Sequence, residues 1–599
     1  MEHQPSPLER LHELIATSGG DISAAQTTFK DQLLASRRLN DIPSLSASST
    51  PGTLVRFRAM VQDNGFSPQI YMSHLNLVNE ESGEKMRISC HFSDEISPLK
   101  PADSKWSVNE SENDFMFGSY SQKWPMCCVA VPGQTAWARA LVDNVPESEN
   151  VAMELGGVSL TGQTNVHVGR KYSTDPYSKP VMVKFYGEEP NDLQLSTVAD
   201  FIGILELGEP LPTATDAMEN DVQMQSFLND ELDPFRGLPV LHCVFHSRVS
   251  PLEHPFGGNQ ELSADVDAKI LRENALEFLK PFVLDDRLAA EYLLVHLVSK
   301  IRARHESFQT GNFPLNLYNF PTPASSKSVF DAVSLLLPLA RRIPLSIHYL
   351  NTNRMAPGVF VSRESWKEMN TVKDKETRDS DLVVHGLVSG ELQLADRTYV
   401  VVDEVGMDAG VLKEQGVINV RQMSDILKFA ELPFAVGSGA DSPDHTVSKI
   451  PVDLSFLVLS QGKCMFDVDC MMPIMPNGMG APSSVVNNDE LRDMNPLRLF
   501  LLGVTKTEEY SISEEMNTVL TNHFTEARKK TADAGQPLYS QESFMLRMEI
   551  ARNWSLLSGE SSLSMDAWKK SGEMEAERIE RCERFASLKR QNSDGGIDR

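Results

Sequence analysis

The chain has 599 residues, 41% of them hydrophobic, and a net charge of −27 from 83 acidic against 56 basic side chains. That length calls for several domains with more than one buried core, and no apolar run reaches the ~20 residues that span a bilayer. Such acidity opposes phosphate backbones, so direct DNA binding is not expected as the main activity, and seven scattered cysteines without a CxxC pair read as reduced thiols.

In chain order, residues 1–44 read as an N-terminal helical segment. Ser6-Pro7-Leu8-Glu9 has the form of a capping box with proline at the first helical position, and Leu8, Leu11 and Ile15 share a face. A second helix, about Asp21–Arg37, lines up Ile22, Ala25, Phe29 and Leu33. Over 52–210 the period changes to two. Short strands at Leu54–Val61, Ile70–Leu77, Met86–Phe92, Cys127–Val131, Val181–Tyr186 and Phe201–Leu207 predict a small Greek-key β-barrel. A flexible, polar insertion at about 143–178 interrupts it, and 211–264 reads as an acidic connector. Asp286–His305 is apolar around most of its circumference and predicts a buried helix. Strands and helices alternate over 265–487, which fits a layered α/β core. Residues 488–590 read as helical and 591–599 as a disordered tail.

Two pairs in the α/β core carry chemistry. The strand Phe313–Phe320 runs into Pro321-Thr322-Pro323-Ala324-Ser325-Ser326-Lys327-Ser328, and Tyr399–Val402 ends in Asp403-Glu404. In a nucleotide-hydrolysing core the lysine and hydroxyl face phosphate and magnesium, and the carboxylates face metal and water. Here the loop that should cradle phosphate carries prolines, which donate no N–H. Lys327, Ser328, Asp403 and Glu404 therefore read as a vestigial nucleotide site. No cofactor is required, residual ATP and Mg²⁺ binding is the alternative, and the chain is read as a non-enzyme. The plain reading of the same residues has Ser325 or Ser326 capping a helix through Phe330, Val333 and Leu336, with Lys327 exposed.

Other candidates are weaker. His242 and His246 share a strand face but are spaced too widely to chelate easily, so no metal is predicted. Cys127 and Cys128 should point to opposite faces of a strand. Trp124 and Trp137 flank them and read as core aromatics, with a partner-binding patch as the other option. Arg578, Arg581, Arg584, Lys589 and Arg590 make a basic concentration that fits either a solvated helix or a nuclear-import signal.

Several stretches closely resemble the minichromosome maintenance (MCM) complex-binding protein family: LVRFRAMVQD at 54–63, CVAVPGQTAW at 128–137, VKFYGEEPNDLQLSTVADFIGIL at 183–205, LAAEYLLVHLVSKI at 288–301 and EEYSISEEM at 508–516. The resemblance implies a nuclear protein that binds MCM helicase subunits. It implies control of their assembly and unloading from chromatin in DNA replication, and a role in sister-chromatid cohesion. More faintly the chain resembles an MCM subunit itself. Strands 54–62 and 198–207 look like the first and last of an oligonucleotide-binding (OB-like) barrel. Residues 321–328 look like a Walker A segment without its glycines, and Asp403 and Glu404 like Walker B. Ser460-Gln461 stands where a sensor asparagine would be, Arg498 in the arginine-finger segment, and Arg547 at a lid sensor position. The implied fold class is α/β plus β-barrel: N-terminal helices, OB-like barrel, degenerate AAA+-like α/β core and helical C-terminal lid. A weak ATPase that remodels MCM complexes is the alternative function.

Overall fold

The computed structural model describes residues 5–46, 48–94, 106–108, 119–143, 180–206, 238–250, 255, 267–305, 309–360, 386–436, 446–462, 464–476, 494–535 and 538–594. The insertion expected at 143–178 lies, apart from residue 143, outside the described residues, as do parts of the 211–264 connector and the last five residues of the expected tail.

The chain opens with helices α1 (Pro7–Thr17) and α2 (Ile22–Ser36). Ser6 caps α1 in a full capping box with Glu9, as its sequence requires. The β-rich part follows: β1 (Leu54–Asp63), β2 (Gln69–Met72), β3 (His74–Asn79), β4 (Lys85–Ser89), β5 (Trp106–Val108), β6 (Tyr120–Ala130), helix α3 (Ala136–Asp143), β7 (Pro180–Tyr186), β8 (Val198–Glu206) and β9 (Val240–Arg248). Strands β1, β8, β9, β7 and β6 pair in that order, and β6 pairs back onto β1 to close a five-stranded barrel. Only the β7–β9 pair is parallel. β2 extends β6 outward, while β3, β4 and β5 form a separate small sheet.

Two expectations are corrected here. The last barrel strand is β9, which lies inside the stretch read as connector, and β8 (198–206) is its partner rather than the end of the barrel. Closure decides this, because without β9 the backbone edges of both β7 and β8 would be unpaired.

Odd-numbered residues of β1 (Val55, Phe57, Ala59, Val61) fill the barrel with Cys128, Val183, Phe201 and Cys243. Outside, one face of the barrel is covered by α1 and α2, where Leu11, Ile15, Phe29 and Leu33 meet Tyr186, Ile202, Ile204 and Val244. Another face meets the rest of the protein, with Met60, Cys127 and Val129 against Leu339 and Ala395. Cys127 and Cys128 thus do point apart. Gly203 sits where a Cβ would lie 2.3 Å from the His242 carbonyl oxygen, so only glycine lets β9 approach β8 at its bulge.

The second half begins with helices α4 (Ala268–Leu279) and α5 (Arg287–Leu297), the small hairpin β10 (Ala303–Arg304) and β11 (Gln309–Thr310), and β12 (Leu315–Tyr318). There follow α6 (Pro323–Leu336), β13 (Ala340–Pro344), α7 (Ile347–Thr352), β14 (Gly358–Phe360), β15 (Gly386–Val388), β16 (Tyr399–Asp403), α8 (Glu414–Phe429), β17 (Glu431–Val436), β18 (Thr446–Pro451), β19 (Ser455–Ser460) and β20 (Cys470–Pro473). The chain closes with α9 (Asn495–Lys506), α10 (Glu514–Asp533), α11 (Gln541–Leu557) and α12 (Met565–Asp594).

Five strands form one parallel sheet in the order β13-β16-β19-β12-β20. Alternate residues feed cores on its two sides: Leu315, Leu317, Tyr399, Val401, Leu457 and Leu459 on one, Ile343, Val400, Val402, Phe456 and Val458 on the other. Parallel sheets buried on both faces give such continuous apolar runs. The helix expected over Asp286–His305 is shorter than that. It is buried from Leu288 to Leu297, but it stops at Val298, where the fully buried Ser299 turns its hydroxyl onto the His296 carbonyl. The following basic residues leave the helix to be bonded elsewhere: Lys300 donates to the Thr505 carbonyl, and Arg304 to those of Ala430 and Val452.

The barrel is seated on this half through its β6–α3 turn. Ala340 N donates to Gly133 O at 2.8 Å, Thr135 N to Pro338 O at 3.0 Å, and Trp137 Nε1 to Ser334 O at 3.0 Å. Gly133, at φ +74°, allows this approach, since a Cβ there would lie 3.1 Å from Ala340 O.

Candidate functional site

The parallel sheet brings the two predicted pairs together. β12 and β16 flank the same strand, β19, and all three run parallel, so the β12–α6 loop and the end of β16 lie at the same, carboxyl end of the sheet. Proximity is where the likeness to a working site ends.

The connection from Tyr318 to Pro323 is only four residues, with Asn319 in the left-handed region at φ +78°. Helix α6 is capped by Thr322, whose hydroxyl accepts from Ser325 N and whose own N–H is taken by Ser325 Oγ. Neither Ser325 nor Ser326 is the cap, correcting that expectation; both are buried inside the first turns. Phe320 N donates to Ser460 O and Ser326 N to Thr322 O. With prolines at 321 and 323, the loop keeps almost no outward N–H.

Lys327 is exposed on α6. Ser328 turns its hydroxyl back along the helix onto Ser325 O at 2.7 Å, a local bond that satisfies it away from any ligand. Its neighbour Ser326 is the hydroxyl that reaches across, donating to Asp403 Oδ2 at 2.9 Å. Asp403, 4% exposed, also accepts from Arg342 through Nη2 at 2.7 Å and Nε at 3.1 Å, and from Val405 N through Oδ1. Glu404 accepts from Met465 N with both oxygens. Burial pushes its carboxyl up to about 7, with the adjacent Asp403 charge acting in the same direction.

The remaining machinery-like positions are likewise turned inward. The one Ser460 hydroxyl proton is shared between Asn316 Oδ1 and Gly462 O, each at 3.1 Å. The Arg498 guanidinium lies 4.1 Å from the Trp137 ring centre and donates to Leu335 O, tying α9 to α6 and to the barrel. Arg547 stacks at 3.8 Å on Trp568 and donates to His523 Nε2 and Trp568 O, wholly within the C-terminal helices. Sequence reasoning missed Arg342 and Ser326. Ser326 lies in the 321–328 segment but reads from sequence only as a possible helix cap, and Arg342 could be suspected only from two charges, Arg341-Arg342, in an otherwise apolar strand.

A second polar cluster lies on the barrel. His242 does not pair with His246, which faces Asp192 at 3.1 Å. Its Nε2 meets Glu206 at 3.1 Å and its Nδ1 meets the Tyr186 hydroxyl at 2.6 Å, while Asp94 is bonded to both Lys123 and Lys184. Asp94, Glu206 and His242 lie close enough to share a cation. Yet both Asp94 oxygens already hold ammonium groups, whose charge opposes a metal. Those lysines and His242 keep the Asp94 carboxyl below the usual range despite burial.

Among the basic C-terminal residues, Arg578 is paired with Glu575, and Arg581 with Asp286 and Glu577. Among the described residues no helix is long and apolar enough to cross a membrane.

The mini-chromosome maintenance replisome factor family model matches residues 29–161 and 158–582. The chain belongs to that family. Its relatives include proteins named mini-chromosome maintenance complex-binding protein. The Arabidopsis thaliana protein is 25% identical over 94% of this chain and 95% of its own length, and the Drosophila melanogaster one 27% over the same shares. The Homo sapiens protein is 22% identical over 93% of each. Family membership thus spans barrel, sheet and C-terminal helices together, and the exposed Lys327 and the internally bonded Ser328, Asp403 and Glu404 stand within it.

Proposed function

We propose that this chain is a non-catalytic adaptor that binds MCM helicase subunits in the nucleus. It controls their assembly and their unloading from chromatin during DNA replication, with a consequent role in sister-chromatid cohesion, and it reaches chromatin through MCM rather than through DNA. The observation that carries this reading is the family match along nearly the whole chain to relatives named for binding the MCM complex. Support for a degenerate AAA+-like core comes from the all-parallel sheet with β12 and β16 on either side of β19. The single parallel pair in a closed five-stranded barrel supports an OB-like domain. The C-terminal helices act as a lid. Core and lid together form the docking surface, letting the chain stand in as a false neighbour for an MCM subunit.

A weak ATPase is the second reading, favoured only by the sheet position of the two pairs. Against it stand the inward bonds of Ser328 and Asp403 and a loop whose N–H groups are nearly all used internally or replaced by proline. The test is co-purification of the full chain with each MCM subunit, with and without ATP. Capture that is indifferent to ATP and survives Lys327→Ala is expected. Capture of no subunit would end the adaptor reading, and loss on Lys327→Ala would favour the ATPase.

A further inference from the structure

Asp403 sits where the fold class implies a magnesium-bound nucleotide, and the residues present do not fit that group. A divalent cation needs carboxylate lone pairs with nothing else bonded to them. Asp403 Oδ2 instead receives Arg342 Nη2 at 2.7 Å and Arg342 Nε at 3.1 Å, and it shares the one Ser326 hydroxyl proton, at 2.9 Å, with the Pro323 carbonyl at 3.0 Å. Oδ1 receives Val405 N at 3.1 Å. The hydroxyl a metal would need, on Ser328, is bonded within its own helix. Of the backbone N–H groups from Phe320 to Ser326, those of Phe320, Thr322, Ser325 and Ser326 are used internally and two are absent as prolines, which leaves Ala324.

We propose that Arg342 is a built-in counter-ion that has taken the place of the divalent cation against Asp403. It converts the former ligand pocket into a fixed joint between β13, β16 and α6. Arg342 reaches Asp403 from the neighbouring strand, where Pro344 pairs with Asp403 and Arg342 lies two residues earlier on β13. A guanidinium fits this place better than an ammonium would, because its fixed fork brings two donors, Nε and Nη2, onto the one oxygen Oδ2 and never deprotonates. The joint holds whether or not nucleotide is present, so ATP has no charge to neutralise and no carboxylate-held metal to join. This rests on the α/β core being a relative of nucleotide-binding cores, but not on which partner the chain binds.

The test uses the full chain with MnCl₂ alone, and separately with Mg·ATP. Thermal unfolding and Mn²⁺ paramagnetic resonance of the unaltered protein should show no shift in midpoint and no bound Mn²⁺. Arg342→Gln should lower the midpoint by several degrees and Asp403→Asn should also lower it. The double variant should lose clearly less than the sum of the two, because Arg342→Gln strands the buried Asp403 charge and Asp403→Asn leaves the partly buried Arg342 without its partner, so both single changes remove one shared interaction. Two results would overturn the proposal. One is a stoichiometric Mn²⁺ site in the unaltered protein that disappears in Asp403→Asn; the other is simple additivity of the two changes. If Arg342→Gln alone does not fold, the double variant folding where the single does not supports the joint, and the Mn²⁺ measurement on the unaltered protein still decides the matter. None of these readouts involves MCM capture, so failure here and failure of the adaptor reading are separable.

Discussion

Removing the Trp137 side chain should loosen the barrel from the α/β half. Trp137 is 4% exposed, donates Nε1 to Ser334 O, and carries the Arg498 guanidinium 4.1 Å from its ring centre. Truncating a buried Trp to Ala costs about 3–5 kcal/mol in cavity and transfer terms. The stranded Ser334 carbonyl adds ~1 kcal/mol, and the lost stacking on Arg498 roughly 0.5–1 kcal/mol. Allowing for overlap between these, Trp137→Ala should destabilise the junction by about 4 kcal/mol, a large share of the ~5–15 kcal/mol that holds a domain together. Trp137→Phe keeps most of the apolar contact and loses the hydrogen bond, so it should cost about 1–2 kcal/mol. Because a multidomain chain unfolds in stages, the assay is urea titration read by amide exchange in β6–β7 and in α6 separately. Earlier exchange at both sides of the junction in Trp137→Ala is the expected result. A change under about 0.5 kcal/mol, or equal damage from Phe and Ala, would refute this account of how the barrel is seated. MCM capture should fall only as far as stability does.

Glu404 and the N-terminal histidines give pH predictions of opposite sign. The Glu404 carboxyl, at about 7 folded against 4.5 unfolded, keeps its proton in the folded state. Its contribution is therefore neutral below pH 4.5 and becomes destabilising as pH rises to 7, by about 2–3 kcal/mol. Glu404→Gln should raise the urea midpoint at pH 8 and leave it unchanged at pH 4; equal effects at both would contradict the assignment. Burial, helped by His74 and His12, depresses His91 to about 4. Stability from a neutral buried histidine is complete above pH 6.5 and lost as pH falls toward 4. Because the His91 carbonyl meets His12 of α1 at 2.9 Å, the α1 amides should lose protection in that window. Protection that stays flat from pH 7 to 4.5 would speak against it.

Much of the frame was legible because it rests on local rules. The Ser6 capping box, the proline start of α6, and the runs at 315–318 and 399–403 each form their element for reasons visible within a few residues. Candidate site residues were legible by type and order, since Lys327 and Asp403 precede and follow as a nucleotide core would have them. Their use was not. Whether Ser326 or Ser328 faces Asp403 depends on where α6 begins, and that is set by Thr322, one turn earlier than either serine considered as its cap. Arg498 and Arg547 matched motif positions, yet each guanidinium found an aromatic ring brought to it by a distant element.

Sequence alone determined the acidic, thiol-bearing character of the chain and the shortage of N–H donors in the 321–328 loop, because charge, composition and proline chemistry are properties of residues wherever they sit. Tertiary structure decided that 240–248 closes the barrel, that the helix after Asp286 ends at Leu297, and that Arg342 neutralises Asp403. Each of these depends on a partner far away in the chain. A buried carboxylate or an open strand edge must be satisfied by whatever the fold carries to it, and only the assembled sheet and barrel fix what that is.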